Sequence, residues 1–462
     1  MAGEPNESAS DEIYAKHQKI YTREVTGVFT KLRNLAMVVL LGIYYLGPWL
    51  QWDGRQAVLF DLPDRKFYLF DWVFWPQDFF YLALLLIIMA YALFFFTTLA
   101  GRLWCGYACP QTVWTEIFMW IEHKIEGDRP KQIKLDKGPL DARKLRLKIT
   151  KHAIWALFAL WTGFTFVGFF SPIRELWDNT LVLNLGGWET FWIFFYGFAT
   201  WGNAGWMREQ VCIYMCPYAR FQSAMFDHDT LIISYDEKRG EPRGSRKRGL
   251  ENKPADKGDC IDCGICVQVC PTGIDIRDGL QYQCIGCGAC VDACDEVMDQ
   301  MGYEKNLVSF TTERALHGEK SHILRPRIVI YALLLIILST AVFYGIATRT
   351  PLELDIIRDR NVLYRETSNG LTENVYTLKI VNMDENPHEY LLGAYGLEGL
   401  VLDADENPFK VESSTVHTIN VRLRVDPVVL EKASTEVFFT LEAVDNPELK
   451  VEDKARFVGP VI

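Results

Sequence analysis

The chain has 462 residues, a formal net charge of −11 and 49% hydrophobic residues, with a mean hydropathy of +0.02. That is too apolar on average for a purely soluble protein, and the acidity excludes a broad basic surface for nucleic acid. The acidity is also local, because residues 351–462 hold 21 Asp and Glu against 11 Lys and Arg.

Residues 1–33 read as a polar lead-in, which argues against a cleaved signal peptide ahead of the first apolar run. Five runs then approach the roughly 20 apolar residues of a helical span: Leu35–Trp52, Phe79–Ala100, Ala153–Phe170, Trp188–Met207 and Ile328–Ala347. The loop after the second run carries eleven Lys and Arg between residues 101 and 151, whereas the loop after the third has only Arg174. Positive charge stays inside. The N-terminal segment 1–33 and the insert 208–327 are therefore expected in the cytoplasm, and the tail after Ala347 on the other side.

The stretch LWCGYACP follows the second run, and VCIYMCP follows the fourth. Residues four apart share a helix face, so Cys105 with Cys109, and Cys212 with Cys216, are expected to point the same way at the membrane edge. Each motif leads into a short amphipathic helix. In the first of these, Val113, Ile117, Trp120 and Ile121 recur at helical spacing, with Trp114 and Trp120 placed at the headgroups. Four thiols from two equivalent hairpins can converge on one site, and soft thiolates favour copper(I), zinc or an iron–sulfur cluster. Free buried thiols and a dithiol/disulfide redox pair are the alternatives.

Residues 34–237 form the four-helix membrane domain in this reading, and 238–258 a basic linker rich in Gly, Pro and charge. Residues 259–326 carry the strongest signal. Cys260, Cys263, Cys266 and Cys270-Pro271 make one bacterial ferredoxin run, and Cys284, Cys287, Cys290 and Cys294 a second. In such pairs the fourth cysteine of each run ligates the other cluster. The expected ligand sets are Cys260, Cys263, Cys266 and Cys294 on one 4Fe-4S cluster, and Cys284, Cys287, Cys290 and Cys270 on the other. All twelve cysteines lie between Cys105 and Cys294, so they read as ligands or redox groups rather than exported disulfides.

Residues 327–348 form the fifth span. Residues 349–462 then alternate apolar and polar positions in NVYTLKIVN, HEYLLGAYG, FKVESSTVHTINVRLRV and TEVFFTLEAV, which predicts an immunoglobulin-like β-sandwich. His388 and His417 are expected as strand or surface residues, not ligands. The fold class is thus a polytopic α-helical membrane protein with a dicluster ferredoxin-type insert and a C-terminal β-sandwich.

Taken together, CGYACP, CIYMCP, CIDCGICVQVCP, CIGCGACVDAC and the terminal span with its sandwich make the chain resemble the FixG/RdxA/CcoG family. These are membrane polyferredoxins that act as accessory proteins in assembly of cbb-type cytochrome c oxidase. The resemblance covers essentially the whole chain. It implies an inner-membrane oxidoreductase with two 4Fe-4S clusters that reduces Cu(II) to Cu(I), and partners among the oxidase assembly machinery and copper chaperones or transporters. It also implies that Cys105, Cys109, Cys212 and Cys216 handle the copper. The competing expectation is a quinone-linked polyferredoxin in which these thiols touch no copper. The electron donor is not legible in the residues.

Overall fold

The computed structural model describes residues 19–246, 256–384 and 386–460. Residues 1–18 of the lead-in and residues 247–255 of the linker, with most of its RKR run, lie outside the described residues. The chain divides into two compact units, residues 1–340 and 341–462.

In the first unit, α1 (Val28–Leu46) and α2 (Phe79–Ala100) are joined by a small antiparallel sheet of Val58–Asp61, Lys66–Leu69 and Trp72–Phe74. The pattern of apolar runs predicts no strands there. Two short helices follow, α3 (Leu103–Tyr107) and α4 (Pro110–Glu126), then α5 (Arg129–Lys137) and α6 (Ala142–Val167). After α7 (Ile173–Leu181), α8 (Gly187–Thr200) runs directly into a π-helical segment, Trp201–Met207. A second π-helical turn, Val211–Met215, precedes α9 (Pro217–Ser223).

Among the described residues, three helices are long and apolar enough to cross a membrane: Val28–Trp49, Pro76–Ala100 and Pro326–Ala347. The first begins several residues earlier than the apolar run suggested. The third and fourth expected spans fall on α6 and α8, and neither meets the same standard. The first third of α6 is strongly basic (ARKLRLK), and α8 has 14 residues before its helix widens. The two pack against each other.

Helix α4 is not simply laid on an interface. It buries Val113, Phe118 and Ile121 together with Glu122 and Glu126, and leaves Trp120 exposed. Phe118 and Ile121 pack with Trp155 of α6, whose indole Nε1 donates to the Phe118 carbonyl at 3.0 Å. The two buried carboxylates are matched with cations. Glu122 accepts from Lys19 (2.8 Å), Lys151 (3.0 Å) and Arg208 (2.7 Å), and Glu126 pairs with Lys148 and Lys151. Buried charges persist only when paired in this way. Burial raises the Glu122 pKa, but Arg208, Lys151 and Lys19 outweigh it and hold the carboxyl far below the usual range.

The second unit is a two-sheet sandwich. One sheet orders Val401–Ala404, Thr415–Val425, Thr372–Asn382 and Leu352–Arg358; the other orders Phe409–Val411, His388–Tyr395, Ser434–Ala443 and Lys450–Val458. Tyr376, Tyr390, Phe439 and Phe457 are fully buried between the sheets. The segment FKVESSTVHTINVRLRV, read as one run, is two strands. It changes sheets at Ser414, whose φ of 50° turns the backbone. His388 is a buried strand residue clamped between Asp384 (3.2 Å) and Asp445 (2.8 Å), and His417 stacks on Phe409.

Candidate redox site

The ferredoxin insert is closed at its base by a two-stranded ladder, Ile232–Tyr235 with Val308–Thr311, which brackets both cysteine runs. Its core is Ile233, Tyr235, Ile274, Ile276, Val291, Met298 and Leu307, all buried. Two pockets open inside this core. One is lined by Cys260, Cys263, Cys266 and Cys294, with Tyr235, Val297 and Leu307 as its apolar wall. The other is lined by Cys270, Cys284, Cys287 and Cys290, with Cys266 on the shared side. The last cysteine of each run thus stands with the first three of the other.

The donor set and its setting suit a 4Fe-4S cube. Gly286 and Gly288 take φ values of 67° and 78°, a region open to glycine without strain; it lets the loop curl with its amides turned inward. Burial pushes the thiols of Cys284 and Cys294 up to about 12 and that of Cys266 up to about 11. Such thiols deprotonate on meeting a metal, so loading displaces protons. Cys263 is the exposed member, at the surface of the first pocket.

The membrane-edge pairs depart from the sequence reading. Cys105 lies in α3, but Cys109 caps α4 from an extended backbone (φ −62°, ψ 127°). Cys212 lies in the π-helical turn, and Cys216 is again extended (φ −80°, ψ 109°). Neither pair shares one continuous helix. The cause is the proline: Pro110 and Pro217 each start a helix, and a residue before proline is driven out of the helical region. The four thiols still feel one another's charge. Burial pushes Cys105 up to about 12, with Cys109 and Cys212 adding to the rise against Arg102. Cys212 rises to about 11 through burial, Cys109 and Cys216. Among the described residues no three His, Cys, Asp or Glu side chains are drawn together tightly enough to hold a single ion.

The thiol turn is built onto the second ferredoxin run. A Cβ at Gly106 would stand 2.9 Å from the carbonyl oxygens of both Ile285 and Gly286 and 3.0 Å from Cys287 Cα. Cys105 packs in one core with Ile285, Cys287, Ala289 and Cys290. Arg102, buried, donates to the carbonyls of Tyr282, Cys284 (3.0 Å) and Ala219 (2.8 Å), joining this run to α9 beside the second pair. Gln222 reaches Cys105 Sγ at 3.6 Å, and Tyr107 Oη donates to the Cys287 carbonyl at 3.3 Å. Arg102 and Gln222 escaped the sequence reading, because their partners lie more than a hundred residues away.

A third tie comes from α1. Its first amides, Phe29 and Thr30, donate to Asp292 at 3.2 and 2.7 Å, and Thr30 Oγ1 does so at 2.7 Å. Asp292 sits between Cys290 and Cys294, so a side chain of the second run satisfies the orphan donors of the first long helix. Residues 19–27 run beside the insert, with Arg23 N donating to Gln268 O at 2.8 Å.

Three family models match the chain. A 4Fe-4S dicluster domain model matches residues 207–313, and a 4Fe-4S binding domain model matches residues 82–127. The model of the IG-like fold at the C-terminus of FixG matches residues 342–460. Protein RdxB of Cereibacter sphaeroides is 40% identical over 88% of this chain and 88% of its own length. The nitrogen fixation protein FixG of Rhizobium meliloti is 38% identical over 80% of this chain and 78% of its own. A crystal structure of a FixG-related protein from Vibrio parahaemolyticus, 32% identical, covers 23% of this chain and 95% of that one, with a TM-score of 0.22.

Proposed function

Because the chain belongs to the FixG/RdxA family of iron–sulfur redox proteins, we propose that it is a membrane-bound cupric reductase serving maturation of a cbb-type cytochrome c oxidase. Cys260, Cys263, Cys266 and Cys294 hold one 4Fe-4S cluster, and Cys270, Cys284, Cys287 and Cys290 the other. Each cluster, when bound, supplies one-electron transfer. Cys105, Cys109, Cys212 and Cys216 receive the copper substrate. Cu(II) takes up one electron, and the Cu(I) product is the ion that soft thiolates prefer, so reduction and capture share a site. The chain crosses the inner membrane five times, with the N-terminus and insert cytoplasmic and the sandwich periplasmic. Copper chaperones or transporters and the oxidase assembly machinery are its partners.

The observation that supports this reading most directly is the contact of Gly106 with Ile285, Gly286 and Cys287. A thiol turn seated on a cluster-binding loop has an electron supply at hand. The chain's own residues do the rest: Arg102 holds the turn on the loop, and burial keeps the thiols of Cys105, Cys109 and Cys212 protonated until a metal displaces the protons. Cys105→Ser and Cys216→Ser are expected to abolish cupric reduction while leaving iron content and cluster absorbance at wild-type levels. Normal copper reduction by both variants would refute the assignment.

A further inference from the structure

A cavity of about 850 Å³ lies apart from both thiol pairs and from both cluster pockets. Met37 and Val38 of α1 form one side, Ile117 and Trp120 of α4 another, and Phe158 of α6 a third. Its floor is the ferredoxin insert, through Val269, Pro271 and Ala289. We propose that this cavity binds the head group of a membrane quinol, the electron donor of the protein. The proposal rests on the iron–sulfur reading above.

Three observations select that occupant. The volume falls in the range of small-molecule sites, roughly 300–1,000 Å³, and its apolar side is continuous with a membrane-span helix. Val38 is 63% exposed and Trp120 57% exposed, which gives an isoprenoid tail a way out to lipid. The inner end is polar and incompletely satisfied. Arg33 is buried with its Nε unpartnered, although its Nη2 holds Glu116 at 3.0 Å. His123 Nε2 stands 3.1 Å from the Thr22 carbonyl, and its Nδ1 lies 3.6 Å from the Glu24 carboxylate. A guanidinium N–H and an imidazole suit the two oxygens of a quinol. Finally, the floor residues adjoin one ligand set: Pro271 follows Cys270, and Ala289 separates Gly288 from Cys290.

The chemistry also accounts for two clusters beside a one-electron substrate. One quinol becomes one quinone by breaking two O–H bonds, releasing two protons and two electrons. One proton passes to His123 Nδ1 and the second leaves by way of Glu24, which is open to solvent. Two cupric ions accept the two electrons, one each, and the clusters that the eight ferredoxin cysteines would hold would supply the one-electron relay between donor and acceptor. A two-electron donor feeding one-electron steps requires a place to hold the second electron.

The test is photolabelling of the full-length protein in lipid nanodiscs with an azido-ubiquinone, followed by peptide mapping. Label is expected within residues 22–38 and 116–124. Asn34→Trp and Ile117→Trp, which fill the cavity from opposite sides, should each reduce it by about tenfold. His123→Gln keeps a donor for Thr22 but cannot take a proton. It should label normally yet slow cluster bleaching by a short-chain ubiquinol about 100-fold, a general-base effect, with dithionite reduction intact. Label scattered over all lipid-facing helices, or displaced equally by saturated phospholipid, would overturn the proposal. So would full labelling of both filled variants, or unimpaired ubiquinol reduction in His123→Gln. Iron and sulfide analysis on the same samples is independent: absence of clusters would remove the proposed function while the labelling map still reports on the cavity.

Discussion

Gly106→Ala changes the protein by one methyl group at the point where the thiol turn meets the second ferredoxin run. The new Cβ would stand 2.9 Å from two carbonyl oxygens and 3.0 Å from Cys287 Cα, against an ordinary contact of at least 3.4 Å. All three atoms are backbone, so no rotamer change relieves the clash. The two segments must part by about half an ångström, and overpacking of this kind costs about 1–3 kcal/mol. The strain falls on the contacts nearest the turn, the Arg102 hydrogen bonds to Tyr282 and Cys284. The expected result is lower thermal stability, retained iron, and cupric reduction slowed more than cluster reduction by dithionite. Gly42→Ala, where nothing lies within 4 Å, is the control and should be neutral or mildly stabilising. Equal stability and equal copper reduction in Gly106→Ala and wild type would show that the turn does not rest on the loop.

Two other predictions concern the charges that hold the first unit together. Glu122→Gln leaves Lys151, Arg208 and Lys19 facing a neutral amide in a buried setting, and should cost about 3–5 kcal/mol in detergent melts. The pH dependence follows from the same network. Glu122 and Asp136 both have depressed folded pKa values, Asp136 near 2 through its bonds to Lys148, Tyr21 and Lys19 against burial. A depressed carboxylate contributes stability above its unfolded pKa and loses it as pH falls through the folded one. Melting temperature should therefore fall as pH drops from about 4 toward 2, with a smaller drop in Glu122→Gln. Asp292→Ala removes the acceptor for the first amides of α1 and should cost about 1 kcal/mol, with hydrogen exchange at Phe29 and Thr30 accelerated more than at mid-helix amides.

The two cysteine runs were legible because ligand spacing is dictated by the cluster, whatever surrounds it. The inner strands of the sandwich were legible from their period-two alternation, but Leu352–Arg358 and Lys450–Val458 were not recognised. The second, with exposed Glu452, Asp453 and Lys454 in succession, has no clean alternation. The π-helical turns after α8 carry no compositional mark, since one extra residue per turn alters spacing and not chemistry. The extended backbone at Cys109 and Cys216 is different. The prolines that enforce it stand in the sequence, and a residue before proline is driven out of the helical region whatever face its neighbours share. Glu122 with Arg208, and Arg102 with Cys284, join residues 86 and 182 positions apart, and no local pattern announces such pairs.

The Asp292 cap gives the chain an order of assembly. Residues 29 and 30 are synthesised with their amides unanswered, and the acceptor follows some 260 positions later. The first turn of α1 therefore gains its cap only once both cysteine runs have been made.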